Sequence, residues 1–329
     1  MFPTAETIKL YADIEPLIVN PVIDGAFSKY EARATKSKST YHSFGQIAVL
    51  LIAISAIFAI ADALIIPEFD QKVWLSVSMG LIAALGIALQ LYLLISQKKA
   101  IWLLSRFACE RLRSAKFQAY ASADKAKDAE ELSRMVVDFS NKTVTEIENE
   151  INAGVSILDA FRPSEAMLVP VVSDTPKNDK INQVAAEAYS ELRISYQKRF
   201  AISEIHRLKR GQRYYASVSD MLYLLGAGLV LASLISRVIA HDTYPLGNWI
   251  DFLASGTFIT AVALGILDHG KLATRSSSRF MDYQAAIENL PTIKQTQDGI
   301  SPVIAEMETA VLEELRSFSE ASQTISYRM

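Results

Sequence analysis

Two carboxylates, four histidines and one cysteine are the first places to look for chemistry in this chain. Asp62 lies inside a long apolar run and Asp220 borders another. A carboxylate at membrane depth is a functional candidate, because its charge is costly there unless it serves transport or pairing. Both sit near the end of their run, where an interfacial carboxylate is the simpler reading. His42, His206, His241 and His269 fall at no spacing used by metal sites, and the single Cys109 excludes a disulfide framework and a Cys-based zinc site. No phosphate-binding glycine loop, dinucleotide fingerprint, nucleophile elbow or HExxH motif occurs. The expectation is a protein without catalytic residues, cofactor or metal.

What the chain offers instead is small residues at four-residue spacing, within apolar runs fenced by basic residues. Ser76, Gly80, Ala84 and Ala88 share one helical face, as do Gly228, Ala232 and Ser236, then Thr257, Ala261 and Gly265, with Ser55, Ala59 and Ala63 completing the set. Small faces let helices approach closely in lipid, where water-driven burial is absent. They suit packing inside a hairpin or an oligomer. The sharper reading is that one stripe lines a narrow, mostly apolar pore.

The elements carrying these stripes are four apolar runs. Gly45 to Ile66 and Trp74 to Ser96 comprise 22 and 23 residues, and about 20 suffice to cross a bilayer. A second pair lies at about 217–238 and 249–267. Lys36 and Lys38 precede the first run, and Lys98, Lys99 and Arg106 follow the second. Arg207, Lys209, Arg210 and Arg213 precede the third, and Lys271, Arg275 and Arg279 follow the fourth. Basic residues near span ends are retained in the cytoplasm. All four flanks then agree on four spans in two hairpins with both termini cytoplasmic. These flanks either set topology alone or also hold anionic headgroups, at about 1 kcal/mol each. Nucleic acid is excluded as a partner, since the charges lie against the membrane without aromatic stacking platforms. The N-terminus lacks the charged start and apolar core of a secretory signal, so the first span is expected to act as its own insertion signal.

Outside the runs the sequence reads helical. Ala100 to Tyr120 has no breaker and is expected to continue the second span. Ala126 to Phe161 carries the stripe Leu132, Val136, Phe139, Ile147, Ile151, Val155 and Leu158, and the last helix, starting at Ser301–Pro302, carries Val303, Met307, Val311, Leu315 and Phe318. Pro163, Pro170 and Pro176 mark an intervening strand-like loop. The fold expected is an all-α membrane protein with long cytosolic helices forming a helical bundle. One plan is used twice: a first two-span module at 1–165, a linker at 166–180, and a second module at 181–329. Repeated membrane units in one chain suggest a homo-oligomeric or pseudo-symmetric assembly.

Two segments carry a family resemblance. WLLSRFACERLRSAKFQAY (Trp102–Tyr120) resembles the helix after the hairpin in the SLATT group, and ELRISYQKRFAISEIHRLKRGQRYY (Glu191–Tyr215) resembles the helix before it. SLATT domains are small bacterial modules of two spans plus cytosolic helices, associated with nucleotide-second-messenger synthases and SLOG sensors. The resemblance covers most of the chain as two tandem modules. It implies a membrane effector of an anti-phage or stress system that oligomerises and opens a pore or disrupts the membrane. No synthase or sensor is recognisable within the chain, so the trigger would come from a partner protein. Two rivals stand beside it: a membrane-anchored scaffold recruiting a cytosolic partner, and a small ion transporter or channel using Asp62 and Asp220.

Overall fold

The structure is a computed structural model that describes residues 5–64, 72–154, 156–163, 178–240, 246–269, 273–290 and 299–323. Every regular element among them is helical. In chain order these are α1 (Ala5–Leu10), α2 (Glu15–Ile18), α3 (Pro21–Leu64), α4 (Lys72–Ile95), α5 (Lys98–Gln118), α6 (Ala129–Asn152), α7 (Ser156–Ala160), α8 (Asp179–Tyr189), α9 (Tyr196–Ala240), α10 (Leu246–His269), α11 (Ala273–Glu288) and α12 (Ser301–Gln323). One 3₁₀ segment, Ala12–Ile14, precedes α2 and another, Ala119–Asp124, follows α5, while a π-helical turn, Ser190–Ser195, joins α8 to α9. The expected strand-like loop falls largely at 164–177, outside the described residues.

Side-chain caps define the starts of α3, α6 and α8. Asp128 accepts from the Glu131 amide at 2.8 Å, while the Glu131 carboxylate accepts from the Lys127 amide at 2.9 Å. Such a reciprocal cap satisfies two donors that a helix start leaves orphaned and contributes about 1 kcal/mol. Asn178 caps α8 through the Ile181 amide at 3.1 Å and donates to the Lys127 carbonyl at 3.0 Å. Asn20 caps α3 at Ile23 and donates to Ser140 on α6 at 2.7 Å, so one amide both starts a helix and ties it to a neighbour.

Two expected continuities are broken. The second apolar run does not continue into the next helix: α4 ends at Ile95, α5 starts at Lys98, and Gln97 between them takes a left-handed φ of 51°. Likewise Ala126 to Phe161 is not one helix, because Gly154 turns the chain at φ 79° after α6. Conversely, the polar helix ahead of the first run and the run itself form a single 44-residue helix, α3.

The chain divides into two compact units. One comprises Met1–Ser37, Ala100–His206 and Arg275–Gln323; the other is built mainly from Lys38–Lys99 and Arg207–Thr274. Each therefore draws on both sequential halves. The first unit has an ordinary apolar interior, in which Ile23, Phe27, Tyr30, Ala108, Cys109, Leu112, Ala115 and Ile147 pack together. Each large side chain buried there contributes roughly 1.5–3 kcal/mol. In the α12 stripe Val303, Met307, Val311 and Leu315 are buried, and Phe318 lies half-buried against Trp102. The second unit consists of two antiparallel helical pairs, α3 with α4 and α9 with α10.

The two halves repeat one succession of lengths. α3, α4, α5 and α6 have 44, 24, 21 and 24 residues, and α9, α10, α11 and α12 have 45, 24, 16 and 23. Ser105-Arg106-Phe107 on α5 recurs as Ser278-Arg279-Phe280 on α11. Glu31 on α3 lies within electrostatic reach of Arg106, and at the same offset Glu204 on α9 lies within reach of Arg279.

Candidate functional site

Three helices are long and apolar enough to cross a membrane: the one ending at Leu64, Val77–Ile95 and Asn248–Leu267. Their apolar windows are 28%, 11% and 17% buried within the protein, so most of this surface points outward. Val77, Leu81, Leu85, Leu91 and Leu94 on α4, and Met221, Leu224, Leu231 and Ile235 on α9, are exposed. Water would penalise such a surface; lipid does not. The third run sits inside α9, where the apolar stretch Asp220–Ser233 falls short of a full crossing and the neighbouring side chains lie partly outside the described residues.

The small residues divide into two groups. On α4, Gly80, Ala84 and Ala88 face outward, and a Cβ at Gly80 would meet nothing within 4 Å. On α9, Gly228 and Ala232 also face outward, and Gly228 is equally open. The close approach inside the first pair is made at Gly86, where a Cβ would come within 2.9 Å of Ile52 and 3.2 Å of the Ala48 carbonyl. In the second pair it is made at Gly226, against Thr257 and Phe258. Thr257 is half-buried and bonds the Leu253 and Ala254 carbonyls, Ala261 is fully buried, and Gly265 is open. Ser55 is buried and donates to the Met79 carbonyl at 3.0 Å, whereas Ala59 and Ala63 are exposed. The side chains of Ser76 and Ser236 lie outside the described residues. Four-residue spacing identifies a face but not which neighbour it meets, which is why Gly86 and Gly226 escaped the sequence reading.

Asp251 lies within α10 and accepts a hydrogen bond from Ser233 on α9. In lipid such an interhelical bond satisfies two groups that have no water to turn to.

Among the basic flanks, Lys98 and Lys99 are half-buried, and Arg207 and Lys209 are exposed. Arg210, Arg213 and Arg275 occupy α9 and α11 with side chains outside the described residues, as is Lys271 altogether. Arg106 is not a free headgroup ligand: it pairs with Glu110, whose charge raises its guanidinium.

Arg106 leads into an ionic core the sequence reading missed. Glu110 also receives two bonds from Arg113, at 3.0 and 2.7 Å. Burial pushes the Glu110 carboxyl up, yet Arg106 and Arg113, with Arg193 beyond, hold it below the usual range. Arg279 meets Glu314 at 3.2 Å and lies over the rings of Phe280 and Phe318; burial raises the Glu314 carboxyl against the pull of Arg279. Arg111, 1% exposed, pairs bidentately with Glu150 at 2.9 and 3.2 Å.

The most deeply buried pair joins the π turn to α12. Arg193 and Glu308, 1% and 0% exposed, make two parallel bonds of 2.7 and 2.6 Å. The Tyr189 hydroxyl donates to the same carboxylate at 3.1 Å, and the guanidinium lies 4.5 Å from the Phe117 ring centroid. Arg193 Nη1 is buried without a hydrogen-bond partner among the described residues. One signal was visible beforehand: Glu308 interrupts the otherwise apolar series Ile304, Leu312, Leu315 on the buried face of α12.

Among the described residues no group of His, Cys, Asp and Glu could hold a metal ion. Comparison with protein-family models, with curated proteins and with solved structures finds no match for this chain.

Proposed function

We propose that this chain is a multi-pass effector of a bacterial inner membrane, with four spans in two hairpins and both termini cytoplasmic. Copies associate through outward small-residue faces and breach the bilayer when a signalling partner, such as a nucleotide-second-messenger synthase or sensor, triggers them. The observation that carries this reading is the outward face of α4. It is uncharged from Val77 to Ile95, scarcely buried in its own chain, and bears exposed Ala84 and Ala88 beside Gly80, which opens onto empty space. Close helix approach in lipid needs such a face. The resemblance of Trp102–Tyr120 and Glu191–Tyr215 to SLATT modules supports the same assignment to anti-phage or stress defence.

A second reading, a membrane-anchored scaffold, is favoured by the small apolar residues Gly80, Ala84 and Ala88 on that α4 face, which offer no side-chain polar group to line a conduit. Dye-loaded vesicles of phosphatidylethanolamine and phosphatidylglycerol separate the two. The effector should release dye, and Gly80→Leu should abolish release while leaving the protein folded. Absence of release from the wild type at every protein density and under every trigger, including added synthase or sensor proteins, or undiminished release from Gly80→Leu, refutes the pore. Loss of coupled ion uptake in Asp62→Asn or Asp220→Asn would instead identify a transporter.

A further inference from the structure

The path from α8 into α9 is helical throughout, but its six residues Ser190–Ser195 form a π turn rather than an α turn. A π turn accommodates one residue more than the α-helix around it, and such turns concentrate where a helix is strained or functional. Upstream, α8 is held by its Asn178 cap and by buried Ile181, Ala185, Ala188 and Tyr189. Inside the turn, Arg193 is clamped by Glu308 of α12, with its Nη1 left unsatisfied. Downstream, α9 runs without interruption to Ala240.

Straightening the π turn has a defined consequence. With α8 fixed, every later residue of α9 moves into the place its successor now occupies. Gln197, Ala201 and Ile205 form the face now buried. The residues that would take these places are Tyr196 and Phe200, 40% and 36% exposed although large, with the Phe200 ring already edge-on to Phe280, and then the half-buried Glu204 near Arg279. α9 thus carries two overlapping faces one residue apart: one buried now, and a bulkier, more exposed one that is aromatic at its first two places and ends at Glu204.

We propose that the Arg193–Glu308 clamp is an autoinhibitory latch: α12 holds the start of α9 in the π turn, and withdrawal of α12 lets the turn relax to α-helix, rotating the rest of α9 by about 100° and advancing it by about 1.5 Å. The helix so moved includes the apolar stretch Asp220–Ser233. The consequence for the membrane rests on the proposed effector function, but the mechanics do not.

Spin labels at Glu187→Cys on α8 and Leu224→Cys on α9, both exposed positions, report the register across the turn. The native Cys109 can stay, because it is buried and its thiol is pushed up to about 12 by burial. In vesicles of phosphatidylethanolamine and phosphatidylglycerol, Glu308→Gln should shift the label-to-label distance, and deleting Ser195, which removes the extra residue, should restore the resting distance in that variant. An unchanged distance in Glu308→Gln, or a shift that survives the deletion, overturns the latch. If Glu308→Gln does not fold, hydrogen exchange of the unmodified chain decides: π-turn amides should exchange faster than those of α8 and early α9, and equal rates overturn the proposal. Dye release in the same vesicles separates the two levels. A distance shift without release upholds the latch and defeats the pore.

Discussion

Asp124 and Gly299 offer the sharpest test of how α12 is held in place. Asp124, 1% exposed, accepts from the Ile300 and Ser301 amides at 3.1 and 3.0 Å and also bonds the Ser301 hydroxyl and the Asn182 amide. It therefore caps α12 from outside that helix. Gly299 stands directly against it at φ 78°, where a Cβ would come within 2.6 Å of the Asp124 carboxylate. Gly299→Ala should incur about 1–2 kcal/mol for the left-handed backbone and, by displacing the carboxylate from at least one amide, about 1.5–3 kcal/mol more for a charge-assisted hydrogen bond. Gly154 is a matched control, with φ 79° and nothing within 4 Å, so Gly154→Ala should incur only the backbone cost. In a body of this size, each kcal/mol lowers Tm by about 2–4 °C. Thermal unfolding in detergent, followed by the fluorescence of Trp102 beside Phe318 of α12, should place Gly299→Ala at least about 3 °C below Gly154→Ala on that scale. Equal losses in the two variants would mean that the Asp124 cap contributes nothing to α12.

Two further perturbations probe the second unit and the ionic core. Gly86→Leu should force α3 and α4 apart at about 1–3 kcal/mol and abolish disulfide formation between Ser55→Cys and Met79→Cys, whereas Gly80→Leu should leave that crosslink intact; equal crosslinking would refute the assignment of the packing face. Glu110 is held below its usual range in the folded chain, so its stabilisation is complete at neutral pH and disappears as pH falls through that depressed value. Glu314, held above its usual range, has the opposite sign: its contribution is complete in acid and is lost as pH rises through its folded value. Stability measured against pH should therefore show wild type and Glu110→Gln converging in acid while wild type and Glu314→Gln converge there only from the opposite side, with a pH-independent difference for Glu110→Gln refuting the arginine cage around it.

Much of the helical layout was legible because its cause is periodic. Apolar runs, the Ser301–Pro302 start and the stripes at Leu132, Val136 and Ile147 or at Val303, Met307 and Val311 declare helices through spacing alone. The breaks at Gln97 and Gly154 were not legible: neither residue obliges a left-handed turn, and each adopts one where the chain must change direction. The ionic core was hidden for a different reason. Arg111, Arg193 and Arg279 look like ordinary solvated charges, since their partners Glu150, Glu308 and Glu314 lie 39, 115 and 35 positions away.

From composition and order alone follow the helical class, the positions of the apolar segments and the basic residues that flank them, since these depend on local propensity and on the cost of placing charge in hydrocarbon. Which glycine touches a neighbour, which arginine is buried and where a helix adds a residue to its turn are settled only when distant segments meet. Contact and desolvation act between residues the chain separates by tens to hundreds of positions. Gly80 and Gly86 differ by less than two turns of one helix, yet one opens onto empty space and the other lies against Ile52.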